Sequence, residues 1–86
     1  MEFEFDPEKS TANQHKHGIG FSDAQVLWDD PDRLLVPAKT LGEKRFMLIG
    51  KIGEKHWSAI YTMRQHRVRI ISVRRSREEE VEAYED

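Results

Sequence analysis

Between Met63 and Arg77 the chain reads MRQHRVRIISVRRSR, with six arginines and no Asp or Glu. Val68, Ile70, Ile71 and Val73 form a β-branched run inside it. Such a run favours a strand, and a strand turns alternate side chains to opposite faces. Period 2 then predicts Arg67, Arg69, Ile71, Val73 and Arg75 on one face. Val68, Ile70, Ser72 and Arg74 fall on the other, and neither face is cleanly apolar. The expectation is a central or near-central strand whose ends emerge into a positively charged cleft.

Charge is segregated along the chain. Residues 44–77 hold ten Lys/Arg and one acid, Glu54, while residues 78–86 hold six acids and no base. The net charge of −2 hides this basic second half. Clustered like charge points to an anion site; the alternative is a set of solvated sheet faces balanced by acids for solubility.

With 86 residues the chain is expected to form one domain, 1–86. It has no cysteine, so neither disulfides nor thiolate metal sites are open to it. It lacks an apolar run near the roughly 18 residues of a membrane span. The acidic start MEFEFDPEKS argues against a signal peptide, and the cytoplasm is the expected location.

Element signals follow in order. Phe3 and Phe5 alternate with acids as a short strand. Asp6-Pro7-Glu8 opens a helix through His17, stopped by Gly18. Ser22-Asp23-Ala24-Gln25 reads as a capping box for a second helix, with Phe21 and Val26 as its staple, and Asp30-Pro31 ends it. Strands are predicted over Arg33–Thr40, Arg45–Ile52, His56–Met63 and 67–75, with turns at Leu41-Gly42-Glu43, Gly53-Glu54 and Gln65-His66. Pro37 removes a ladder donor and marks an edge strand. Ser76-Arg77-Glu78-Glu79 caps a terminal helix through Tyr84. The order is β-α-α-β-β-β-β-α, an α+β fold whose antiparallel sheet is covered on one face by the N-terminal helices.

The segments FDPEKSTANQHKHGIGF, LWDDP, HWSAIYTMR, RVRIISVRRSR and EAYE resemble the BrnT family of type II toxin–antitoxin toxins. The resemblance covers nearly the whole chain. It implies a RelE-like fold, RNA cleavage, arrest of translation and neutralisation by an antitoxin encoded beside it. That BrnA-like antitoxin would carry a DNA-binding domain, so operator DNA is reached only through it. The alternative function is a non-catalytic interaction module, a degenerate toxin whose basic face docks an acidic or antitoxin partner.

RNA cleavage without a metal needs the 2′-hydroxyl deprotonated, charge on the phosphate stabilised and the 5′-oxygen protonated. Arginine suits the second task, because its planar fork binds phosphate through two bonds. Arg69 and Arg74 are the expected clamp on the scissile phosphate; for each, the alternative is an ion pair with the tail glutamates. Of His15, His17, His56 and His66, His56 lies in the basic half beside Trp57 and is the expected acid or base. Tyr84 resembles the terminal tyrosine of some RelE-type enzymes, and its alternative is packing of helix on sheet. Lys51, Arg64 and Arg75 are expected to contact RNA. Trp57 is either core or a stacking platform for a base, and Trp28 is core. No metal site and no cofactor are expected: His15 and His17 point to different sides of a helix, and no carboxylate pattern completes a ligand set. Lys9, Asn13 and His17 make a polar helix stripe that reads either as a wall of the RNA site or as a buried bonding network.

Overall fold

Local chemistry starts and stops the first helix in the computed structural model, which describes residues 1–40 and 42–86. After β1 (Glu2–Glu4), α1 spans Pro7–His17. Asp6 Oδ1 accepts the Glu8 N–H at 2.9 Å, satisfying one of the helix's free donors. Gly18 ends the helix at φ 84°, where a Cβ would be strained, and donates its N–H to the Gln14 carbonyl at 2.9 Å.

The second helix departs from expectation. α2 is only Phe21–Ala24, and the chain tightens into a 3₁₀ stretch over Gln25–Asp29. The cap is not Ser22, since Gly20 holds that position without a side-chain bond. Instead Ser10 Oγ, from α1, accepts the Phe21 N–H at 2.9 Å. Phe21 is buried while Val26 is 51% exposed, so the two form no staple. A long-range bond between helices has displaced the local box.

The strands are β2 (Leu34–Pro37), β3 (Phe46–Ile52), β4 (Lys55–Arg64) and β5 (Arg67–Arg75), and α3 spans Glu78–Glu85. Leu41, in one expected turn, lies outside the described residues. β2 to β5 form the expected antiparallel meander, but the sheet is mixed, because β1 pairs with β5 in parallel. The order is β1-β5-β4-β3-β2, so β5 is internal and β2, with Pro37, is an edge.

Cross-strand partners share a face, and this overturns the simple alternation read for β5. Tyr61 pairs with Ile70 and Ile60 with Ser72, which leaves Ile71 without a partner. That extra residue is a β-bulge, and it reverses the facing of everything beyond it. Val68, Ile70, Val73 and Arg75 therefore share the inner face with Trp57, Ala59 and Tyr61. Arg67, Arg69, Ser72 and Arg74 share the outer face with Ser58, Ile60, Thr62 and Arg64.

The inner face is the core. Val68, Ile70, Val73, Leu48 and Ala59 pack against Ile19, Phe21, Ala24 and Leu27 from the helical layer, with Phe3, Phe5 and Trp28 filling the margin. Gly50 permits this close approach: a Cβ there would stand 3.2 Å from Leu27 Cδ2. Burying a side chain of this size contributes about 1.5–3 kcal/mol, so these residues supply most of the cohesion.

Polar side chains complete the sheet where strands run out. Past the end of β1, Asn13 takes the place of a neighbouring peptide. Its Nδ2 donates to the Val73 and Ile19 carbonyls, both at 2.8 Å, and its Oδ1 accepts the Val73 N–H at 3.2 Å. Asn13 is the buried bonding group of the polar stripe, while Lys9 is exposed.

Candidate functional site

The outer face carries the cationic residues in two groups. At one end, Lys51 of β3 is the cross-strand partner of His56 of β4, and Ser58 of β4 is that of Arg74. Helix α3 lies against this end, meeting β4 and β5 through its side chains and running beside β3. Tyr84 joins them there, its ring 5.2 Å from that of His56 and edge-on. The fold thus brings Lys51, His56, Arg74 and Tyr84 together.

Glu80 organises the cluster. Arg74 donates Nη1 to Oε1 at 2.7 Å and Nη2 to Oε2 at 2.8 Å. Ser58 Oγ donates to Oε1 at 2.8 Å, and the Arg77 N–H to the same oxygen at 2.9 Å. The last bond caps α3, one residue later than the Ser76–Glu79 box predicts. The Arg74 hydrogen bond outweighs burial and holds the Glu80 carboxyl down at about 2. In return Glu80 raises the pKa of Arg74, against the opposing effect of burial.

The other half of the cluster is held by Asp30. Tyr84 Oη donates to Asp30 Oδ2 at 2.7 Å, and the Lys51 N–H donates to the same oxygen at 2.9 Å. Burial pushes Asp30 up, but the bonds from Tyr84, Lys51 and Asp32 together keep its pKa below the usual value. Burial and Asp30 push the Tyr84 phenol up to about 12. His56 Nε2 stands 3.4 Å from Glu85 Oε1, without the alignment of a hydrogen bond. A carboxylate beside an imidazole is an arrangement suited to general acid–base work.

The second group lies at the far end of the same face. Arg69 donates Nη1 to Glu4 Oε2 at 2.8 Å, Arg67 Nε is 3.7 Å from Glu2, and Arg64 Nη2 is 3.3 Å from Glu43. The partners of Arg69 and Arg74 on β4 are Thr62 and Ser58, four residues apart, which is about 13 Å along a strand. Arg69 and Arg74 share a face, contrary to the simple alternation. They do not converge on one phosphate, because each is held by its own carboxylate.

Arg75 and Trp57 lie on the inner face, away from both groups. The Arg75 guanidinium sits 5.5 Å from the Trp57 ring centroid, and Trp57 is 8% exposed. Trp57 belongs to the core cluster, the first of the two readings its sequence context offered. Lys51 also borders a cleft of about 370 Å³ lined by Asp29, Asp30, Asp32 and Tyr84, whose carboxylates would repel RNA. No cluster of three or more His, Cys, Asp or Glu among the described residues is placed to hold a metal ion.

Sequence reading missed Glu4 and Asp30 as members of the site, whereas the pairing of Arg74 with Glu80 is the tail-glutamate alternative stated for that arginine. Glu80 carried a signal, since it stands three residues after Arg77 at a helix start. Asp30 and Glu4 carried none, because their partners are distant in the chain.

Comparison with protein families gives a match over residues 5–80 to a family described as the ribonuclease toxin BrnT of type II toxin–antitoxin systems. No curated protein matches the chain.

Proposed function

The chain belongs to the BrnT family of ribonuclease toxins of type II toxin–antitoxin systems, and from that premise we propose that it cleaves RNA across the outer sheet face. The fold is read as RelE-like. Cleavage arrests translation in the cytoplasm and needs no metal. A BrnA-like antitoxin neutralises the toxin and, through its own DNA-binding domain, links the complex to operator DNA.

One observation carries this reading: the bulge at Ile71 gathers Arg67, Arg69 and Arg74 on the face that also bears Arg64, Lys51 and His56. Arg64 and Arg69 hold the RNA backbone at one end, with Lys51 contributing at the other. Arg74 stabilises charge at the scissile phosphate, where preorganised cations lower the barrier most. His56 takes the 2′-hydroxyl proton, the 2′-oxygen attacks phosphorus, and the bond to the 5′-oxygen breaks. The departing 5′-oxygen takes a proton from water and His56 releases its own to solvent, so the products are a 2′,3′-cyclic phosphate and a 5′-hydroxyl. Tyr84, its hydroxyl committed to Asp30, acts by holding α3 over His56.

A second reading is a non-catalytic docking module. It is favoured by the carboxylates that already pair with Arg64, Arg67, Arg69 and Arg74. The two separate when the purified chain, free of any partner, is incubated with RNA and a chelator. Fragments that fade with Arg69→Ala, Arg74→Ala and His56→Ala support the nuclease. RNA left intact by the unaltered chain supports the module.

A further inference from the structure

The helical layer does not roof the whole inner face. Beyond Trp28 the floor made by β2, β3 and β4 continues uncovered. Leu35, Val36, Pro37, Phe46, Tyr61 and Met63 line a groove of about 320 Å³ there. Leu35 is 55% exposed and Met63 46%. Leaving such side chains in water forfeits the burial that stabilises the rest of this face, and contiguous apolar patches mark interaction sites.

Two further observations say what covers it. The first is charge. Arg33 precedes β2, and Lys39 and Lys44 stand exposed between β2 and β3, while the acid of that segment, Glu43, is paired with Arg64 and Arg45 turns to the outer face. Arg33 is near enough to the Tyr61 phenol to oppose the upward push that burial gives it. The second is the free edge of β2. Ala38 donates its N–H inward to the Arg45 carbonyl at 3.0 Å. By the alternation of an antiparallel pair, Leu35 turns its N–H and C=O outward. Pro37, at the next outward position, has no N–H to expose, so only a short stretch can accept an added strand.

We infer that this groove and the β2 edge form the docking site of the antitoxin, for a segment whose large aliphatic side chains are flanked by carboxylates. The inference rests on the toxin–antitoxin reading above and adds where and how the partner is held. Main-chain bonds to Leu35 fix its register, the groove takes its aliphatic anchor, and Arg33 with the exposed Lys39 and Lys44 meets its acids. RNA is a poorer occupant, because the exposed floor is aliphatic and thioether rather than aromatic. A second copy of the chain is poorer still, because its own cations would face these.

The groove lies on the sheet face opposite His56 and Arg74, so partner binding and RNA cleavage are separable by mutation. The probe is the antitoxin encoded beside the chain, purified and titrated by calorimetry. Leu35→Glu and Met63→Glu should each weaken binding at least 30-fold while leaving RNA cleavage and the unfolding midpoint unchanged. Val26→Glu, on the helical layer, should change affinity less than twofold. In the unaltered complex the Leu35 amide should exchange its hydrogen more slowly, and affinity should fall with added salt. Groove variants that bind like the unaltered chain would overturn the inference, as would a Leu35 amide that exchanges at the free rate. Dimerisation of the chain through Leu35, or protection of Leu35 by RNA, would overturn it in favour of those occupants. If the unaltered chain binds no antitoxin, the toxin–antitoxin reading itself fails, a result distinct from misplacing the dock.

Discussion

Arg74 grips both oxygens of Glu80, at 2.7 and 2.8 Å, and so ties the internal strand β5 to the last helix of the chain. Glu80 titrates near 2 rather than at its ordinary 4.5. A carboxyl lowered by folding contributes stability that is present above its unfolded value and is lost as pH falls through its folded one. The loss is on the order of 3 kcal/mol between pH 4.5 and 2. Urea unfolding at a series of pH values should record that decline, and Glu80→Gln should remove most of the difference across the window.

Ending the chain at Arg77 should raise affinity for RNA. It removes Glu80 from Arg74 and Glu85 from His56, leaving both free to meet phosphate. Stability should fall, since α3 covers one end of the outer face. Fluorescence anisotropy with a 2′-O-methyl oligoribonucleotide, which cannot be cleaved, reads the affinity directly. Weaker binding would instead assign α3 a direct part in holding RNA, through Tyr84.

Arg69→Ala and Arg74→Ala should each lower the rate of RNA cleavage, and their effects should be nearly independent. Sites about 7–10 Å apart or more, with no shared partner, add within roughly 0.5 kcal/mol. Two arginines on one phosphate would couple more strongly. A double-mutant cycle on kcat/KM distinguishes these, and a coupling above about 1 kcal/mol would mean that the two converge when RNA binds.

Asn13→Ala should destabilise the fold by about 2–4 kcal/mol, because it strands the buried N–H and C=O of Val73 without partners. The midpoint in urea should drop with the slope unchanged. RNA cleavage by the remaining folded protein should persist, since Asn13 lies on the side of the sheet away from His56.

Gln65 and His66 turn the chain with φ of 48° and 70°, a conformation that residues other than glycine adopt at a cost. Asn-Gly suits such a two-residue hairpin. Replacing the pair should stabilise the protein by about 1 kcal/mol, seen as a higher thermal midpoint with RNA cleavage unaltered.

Much of the architecture was legible because its causes are local. Asp6, Pro7 and Gly18 bound α1 through one side chain, one ring and one left-handed residue. Pro37 marked the edge because a missing N–H has the same consequence in any sheet. Alternation of Phe3 and Phe5 placed β1, but nothing in three residues states which strand it joins or in which direction. The second helix misled for a related reason: Ser22 satisfies the cap pattern, yet Ser10 across the chain reached the Phe21 amide instead. At the site, residue types pointed to anion chemistry, while the carboxylates that hold the arginines come from β1, from α3 and, for Arg64, from Glu43 ahead of β3.

The amino-acid order alone determined that a β-branched, arginine-rich strand would close a meander, next to an acidic tail. It did not determine which way the arginines face. Period 2 counts residues, but facing depends on which residue the neighbouring strand pairs, and Ile71 is passed over by β4. That one unpaired residue, visible only once two strands are side by side, moved Arg74 onto the face of Arg69. Side-chain identity is a property of the chain, whereas register is a property of two segments in contact.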